Sequence, residues 1–100
     1  MDPAIPDIKI SDVVVSTAGR DRGDWFYVIG ADPVYLTLAN GKDRALEKPK
    51  LKKRKHIQKV LRSETRVAEK LRHGDKVLNG ELRRDLAFLA RQMQDTNLGG

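Results

Sequence analysis

A chain of 100 residues with 39% hydrophobic side chains can fill one modest core, which excludes two full-sized domains. It has no cysteine, which excludes a disulfide framework and a thiolate metal site, and His56 and His73 stand apart with no acidic cluster beside them, so neither a metal nor another cofactor is expected. The net charge is +6, and residues 42–62 alone carry ten positive and two negative side chains, a self-repelling block that calls for a polyanion, an anionic surface or water around it.

Residues 1–7 contain two prolines and two aspartates and read as an N-terminal arm. The acidic start does not resemble a secretory signal, and no apolar run approaches the roughly 18 residues of a membrane span. A cytoplasmic protein without a membrane partner is expected. Residues 8–16 form a lead-in and a first strand around Val13, Val14 and Val15. Gly19 and Gly23 then enclose Arg20, Asp21 and Arg22, which is turn chemistry.

Trp25 to Gly30 is the densest aromatic and β-branched stretch and is expected as the central strand. A period of two puts Phe26 on one face and Trp25 and Tyr27 on the other. Trp25, Tyr27 and, on the next strand, Tyr35 are either stacking platforms for unpaired bases or part of a sheet buried on both faces. Asp32 and Pro33 turn the chain into a strand with Val34, Leu36 and Leu38 inward and Tyr35 and Thr37 outward. Asn40-Gly41 signals a hairpin, with a return strand over residues 44–48, Leu46 inward and Pro49 ending it. A short strand over residues 56–60 completes the set. Strands this short, joined by tight turns, indicate a small β-barrel.

After Ser63 the pattern becomes helical. Ser63 can cap a helix bearing Val67, Ala68 and Leu71, and His73-Gly74 can stop it. Asn79 can cap a second helix over residues 80–94, where Leu82, Leu86, Leu89 and Met93 recur at helical spacing, joined by Phe88 and Ala90, and Leu98-Gly99-Gly100 reads as a frayed end.

Four stretches in order, Ala18-Gly19-Arg20-Asp21-Arg22-Gly23, Asn40-Gly41-Lys42, Glu47-Lys48-Pro49-Lys50 and Lys55-His56-Ile57-Gln58, resemble the KOW-domain RNA-binding proteins of bacteria, which are related to the "fourteen-e" group of large-subunit ribosomal proteins. The resemblance covers residues 8–60 clearly and the helical tail weakly. It implies a fold that is mainly β with a helical tail: an SH3-like barrel of four to five strands over residues 8–62, followed by two short α-helices as a hairpin or extension over residues 63–97. It also implies a non-catalytic protein that binds structured RNA, ribosomal RNA first, with ribosomal proteins as further partners and a monomer when free. One departure is Asp24, which with Asp21 leaves the glycine loop nearly neutral.

The expected RNA contacts are Arg20 and Arg22 on the glycine loop, Tyr35, and the cations Lys42, Arg44, Lys48, Lys50, Lys52, Lys53, Arg54, Lys55 and Lys59 with His56. Gly19, Gly23 and Gly41 are assigned to turns. No Walker loop, nucleophile elbow or carboxylate pair with a histidine is present, so no enzymatic activity is expected. A protein-interaction module of the translation or transcription machinery is the alternative, with the Leu82, Leu86, Leu89 and Met93 stripe as a ligand for a partner's groove. Because the strands and basic strip precede Ser63, the chain lacking residues 63–100 is expected to remain a folded β domain and still bind RNA.

Overall fold

The computed structural model describes residues 7–99, with side chains through Gln94; of the expected N-terminal arm, residues 1–6 lie outside the described residues, as does Gly100 of the expected frayed end. Five strands come first, β1 (Asp12–Ser16), β2 (Trp25–Ala31), β3 (Tyr35–Ala39), β4 (Lys50–Lys53) and β5 (Ile57–Arg62), and two helices follow, α1 (Arg66–His73) and α2 (Asn79–Gly99). The sheet is antiparallel throughout, in the order β4-β3-β2-β1-β5.

Its two edge strands are consecutive in the chain, joined only by a 3-10 turn at Arg54–His56. A flat five-stranded sheet would hold its edges about 19 Å apart, beyond the roughly 14 Å that four peptide links can span. The sheet therefore curls. Thr17 N–H donates to the His56 carbonyl and Arg54 N–H to the Val34 carbonyl, so the turn touches both ends of the curl.

Alternation gives the curled sheet two buried faces. Inside lie Ile8, Val14, Phe26, Val28, Leu36, Leu38 and Ile57. Outside, Val13, Tyr27 and Ala39 are covered by Val67 and Ala68 of α1 and Leu82, Leu86 and Leu89 of α2, with Trp25 and Ile29 half-buried beside them. Of the two readings of the aromatic strand, two-sided burial holds for Tyr27, and Trp25 packs half-buried at the edge of the same core. The expected boundary at Ser63 thus crosses one continuous core.

The Tyr27 hydroxyl ties strand to helix. It donates to the Asp85 carboxylate, lies 2.7 Å from Ser63 Oγ and 3.3 Å from Thr65 Oγ1, and Thr65 in turn donates to Asp85 at 2.8 Å. Burial first, and the Asp85 carboxylate second, push the phenol well above its ordinary range. Arg72 anchors α1 to the start of the sheet by donating to Ser11 Oγ and the Ser63 carbonyl.

Several local expectations are corrected. The return strand is not over residues 44–48. Asn40 Oδ1 accepts from the N–H groups of Lys42 and Arg44, which winds that segment into a loop, and pairing begins at Lys50, just past the proline that has no N–H to give. Val34 is 54% exposed and outside β3, because Asp32 Oδ1 accepts from its N–H and that of Tyr35 and so holds the turn open. His56 belongs to the 3-10 turn, and β5 starts at Ile57.

Thr65, not Ser63, caps α1: its hydroxyl accepts from Ala68 N–H, while Ser63 is drawn inward to Tyr27. Gly74 does end that helix. Asn79 serves the loop after β3, at Leu46 and Glu47, rather than its own helix, and Glu81 closes the first turn of α2 by accepting from Leu78 N–H at 3.0 Å. On α2, Leu82, Leu86 and Leu89 are buried, but Phe88 (50%) and Met93 (37%) are exposed, and the helix continues to Gly99. The radius of gyration is 13.1 Å, as expected for a compact chain of this size.

Candidate nucleic-acid interface

Residues opposite one another in an antiparallel pair share a face, and β4 faces β3 with Lys52 opposite Leu36 and Lys50 opposite Leu38. Both lysines therefore point to the inner face, across the mouth of the curled sheet. There they meet the glycine loop. Lys52 Nζ donates to Asp21 Oδ1 (2.5 Å), Ser16 Oγ (2.7 Å) and the Ala18 carbonyl (2.5 Å), and Lys50 Nζ forms an ion pair with Asp21 Oδ2 at 2.6 Å. Burial alone would raise the Asp21 pKa; the two ammonium groups and the Ser16 hydroxyl outweigh it and hold the carboxyl well below the usual range.

This arrangement changes which cations are available. Lys50 and Lys52 are consumed in docking the loop onto β4, and Lys59 and Arg62 are drawn to the fully buried Asp12, at 3.4 and 2.9 Å. Arg54 donates to the carbonyls of Asp32 and Ile8, which fastens the turn. Lys48, Lys53 and Lys55 remain exposed, as do Arg20 and Arg22 on the glycine loop, and none of these five forms a hydrogen bond through its side chain or an ion pair among the described residues.

The glycine loop is less neutral than its composition implies, because Asp21 is turned inward and leaves Asp24 as the exposed acid beside Arg20 and Arg22. Gly23 has φ +91 and open space where a side chain would stand, and its N–H donates to the Ser16 carbonyl at 2.8 Å. The turn needs a left-handed residue there, not a small one.

Tyr35 is half-buried on the outer face of the sheet, directly opposite Lys53; Leu51, opposite Thr37 on the same face, is 62% exposed. His56 is half-buried in the turn. Lys42 and Arg44 are exposed on the loop after β3, with Asp43 between them. That loop is pinned to α2: Asn79 Oδ1 accepts from Leu46 N–H at 2.8 Å, and its Nδ2 donates to both Glu47 oxygens. The expected contacts thus fall into a presented set along the glycine loop and the β4 edge, a second set on the Asn40 loop, and an internal set.

From the sequence, Asp12 and Asp21 are candidate partners of Arg20 and Arg22; in the fold they hold Lys59 and Arg62, and Lys50 and Lys52, instead. The available signal was weak: an aspartate opening a valine strand, and one in a glycine turn that needs a cation from elsewhere in the chain. Among the described residues, no group of three or more His, Cys, Asp or Glu side chains could hold a metal ion, and no helix is long and apolar enough to cross a membrane. No family model and no curated protein matches the chain.

Proposed function

We propose that the protein is a non-catalytic binder of structured RNA, with ribosomal RNA as the first candidate. The observation that carries this reading is a set of exposed cations, without side-chain partners among the described residues, along one border of the sheet. Arg20 and Arg22 sit on a loop that Lys50, Lys52 and Asp21 clamp to β4, whose Lys53 and the adjoining Lys55 are exposed and have no side-chain partner among the described residues. Holding the loop by internal ion pairs orders the arginines before any ligand arrives, which lowers the entropy lost on binding. Lysine and arginine contacts to backbone oxygens position such a protein on RNA.

The protein-interaction alternative loses its main feature, because Leu82, Leu86 and Leu89 are internal to the fold. In a density gradient the protein is expected to move with ribosomal subunits at low salt and to be released at high salt, since phosphate contacts weaken steeply as salt rises. Migration at the top of the gradient under both conditions would contradict ribosomal RNA as the ligand. Attachment that persists at high salt would favour a protein contact.

A further inference from the structure

Counted along the sequence, α2 looks electrically ordinary: through Gln94 it has Arg83, Arg84 and Arg91 against Glu81 and Asp85. The fold gives both acids other partners, although the Arg84 charge still bears on Glu81. Asp85 turns inward to the hydroxyls of Tyr27 and Thr65. Glu81 is taken by Lys70 at 2.8 Å and by Leu78 N–H, and these contacts, with Lys70 the largest and the Arg84 charge adding to them, hold its carboxyl below the usual range. The three arginines are exposed, and none forms a hydrogen bond or ion pair among the described residues.

At 3.6 residues per turn, positions 80, 83, 84, 87, 88 and 91 fall within an arc of roughly 140°, and Arg83 and Arg91 stand about 12 Å apart along the axis. Ala87 keeps the middle of this face low, the Arg84 guanidinium lies over Gly80, 3.4 Å from where a Cβ would stand, and Phe88 is half exposed at the margin. The face also adjoins further cations. The Asn40 loop lies so close to α2 that a Cβ on Gly41 would stand 3.1 Å from Arg83 N, which brings exposed Lys42 and Arg44 alongside, with Asp43 as the intervening acid.

We infer that the outer face of α2 is a second RNA-contacting surface, on which Arg83, Arg84 and Arg91 hold backbone phosphates and Phe88 lies against an unpaired base. The inference rests on the RNA-binding reading and assigns it residues that the sequence pattern places only in a brace. Arginine presents a planar fork that matches phosphate oxygens in pairs, and aromatic rings stack on unpaired bases. A protein groove is a poorer occupant, since such grooves take a ladder of apolar anchors one turn apart, and here Phe88 is flanked by Arg84 and Arg91.

The test is equilibrium binding of the full chain to a structured ribosomal RNA fragment at several salt concentrations, for wild type, for Arg83→Gln/Arg84→Gln/Arg91→Gln, and for Arg83→Lys/Arg84→Lys/Arg91→Lys. Each lost phosphate contact lowers the slope of log affinity against log salt by about 0.7 to 0.9, so the glutamine variant should lose about 2 from the slope and bind about tenfold or more weakly. The lysine variant should keep the slope. Should the glutamine variant fold poorly, Ala87→Glu places a repelling charge in the middle of the same face and should weaken binding likewise.

A wild-type protein that binds with an unchanged slope in the glutamine variant would overturn the α2 surface and leave the β4 border standing. Loss of binding to polyglutamate, with RNA binding unchanged, would assign the face to acidic protein and also overturn the inference. A wild-type chain that binds no RNA would overturn both readings together.

Discussion

A chain ending at Arg62 is expected not to fold. Val13, Tyr27 and Ala39 are each fully buried on the outer face of the sheet, and the buried side chains laid over them, Val67, Ala68, Leu82, Leu86 and Leu89, all follow Ser63. Removal would expose that face and discard the burial of Val67, Leu82, Leu86 and Leu89, at about 1.5 to 3 kcal/mol for each large side chain. Against a total stability of about 5 to 15 kcal/mol for a typical domain, this loss is decisive. It also takes away Ser63, Thr65 and Asp85, the hydrogen-bond partners of the Tyr27 hydroxyl. Circular dichroism of residues 1–62 should show no cooperative thermal transition. A truncated chain that melts cooperatively would mean that the helices are an appendage and the outer face has another cover.

Gly41→Ala is the single substitution with the largest expected effect. Gly41 has φ +75, and a Cβ there would lie 2.2 Å from the Asn79 carbonyl oxygen and 3.1 Å from Arg83 N. Both obstacles are helix backbone and cannot rotate away. The left-handed conformation costs about 1 kcal/mol or more and the forced separation of loop and helix about 1 to 3 more, for a total of roughly 2 to 4 kcal/mol or more. Gly23→Val is the useful contrast. It meets strain at φ +91 but no atom within 4 Å, so it should cost about 1 to 3 kcal/mol despite the larger side chain. Urea unfolding midpoints would rank the two. The reverse order would show that the loop is not seated on α2 as described.

Much of this fold is legible in local patterns. Val13 to Val15, the aromatic strand with Phe26 opposed to Trp25 and Tyr27, the alternation of Leu36 and Leu38, and the spacing of Leu82, Leu86 and Leu89 each follow from a period of two or 3.6. What the pattern misreads is β4. Lys50, Lys52 and Lys53 are expected together as a surface that contacts RNA, yet the register with β3 turns Lys50 and Lys52 in and leaves Leu51 out. That choice is made by Asp21, some 30 residues earlier, whose carboxylate makes two inward lysines tolerable.

The same reason hides the charge distribution. Net charge by segment places the excess in residues 42–62, but Asp12 and Asp21 from the first segment pair with four of its cations and offset two of those four charges, while Asp85 turns inward from the arginines of α2 and Glu81 pairs with Lys70. Ion pairs between distant segments carry no periodic signal. Side-chain amides that serve a neighbouring element, such as Asn79 on the Asn40 loop, are equally silent in a reading that assigns a cap to the nearest helix.

The central claim is that the exposed cations of the loop and β4 border bind RNA while the inward lysines hold the fold. The most direct measurement is the salt dependence of RNA affinity for two variants, one with Arg20, Arg22, Lys48, Lys53 and Lys55 changed to glutamine and one with only Lys50 and Lys52 so changed, each with its melting curve. The first should melt like the wild type and lose about 4 from the slope of log affinity against log salt. The second leaves Asp21 without its ammonium partners, so it should lose about 3 kcal/mol of stability and, at temperatures where it remains folded, keep the wild-type slope. An unchanged slope in the first variant, or a slope that falls only in the second, would contradict the account.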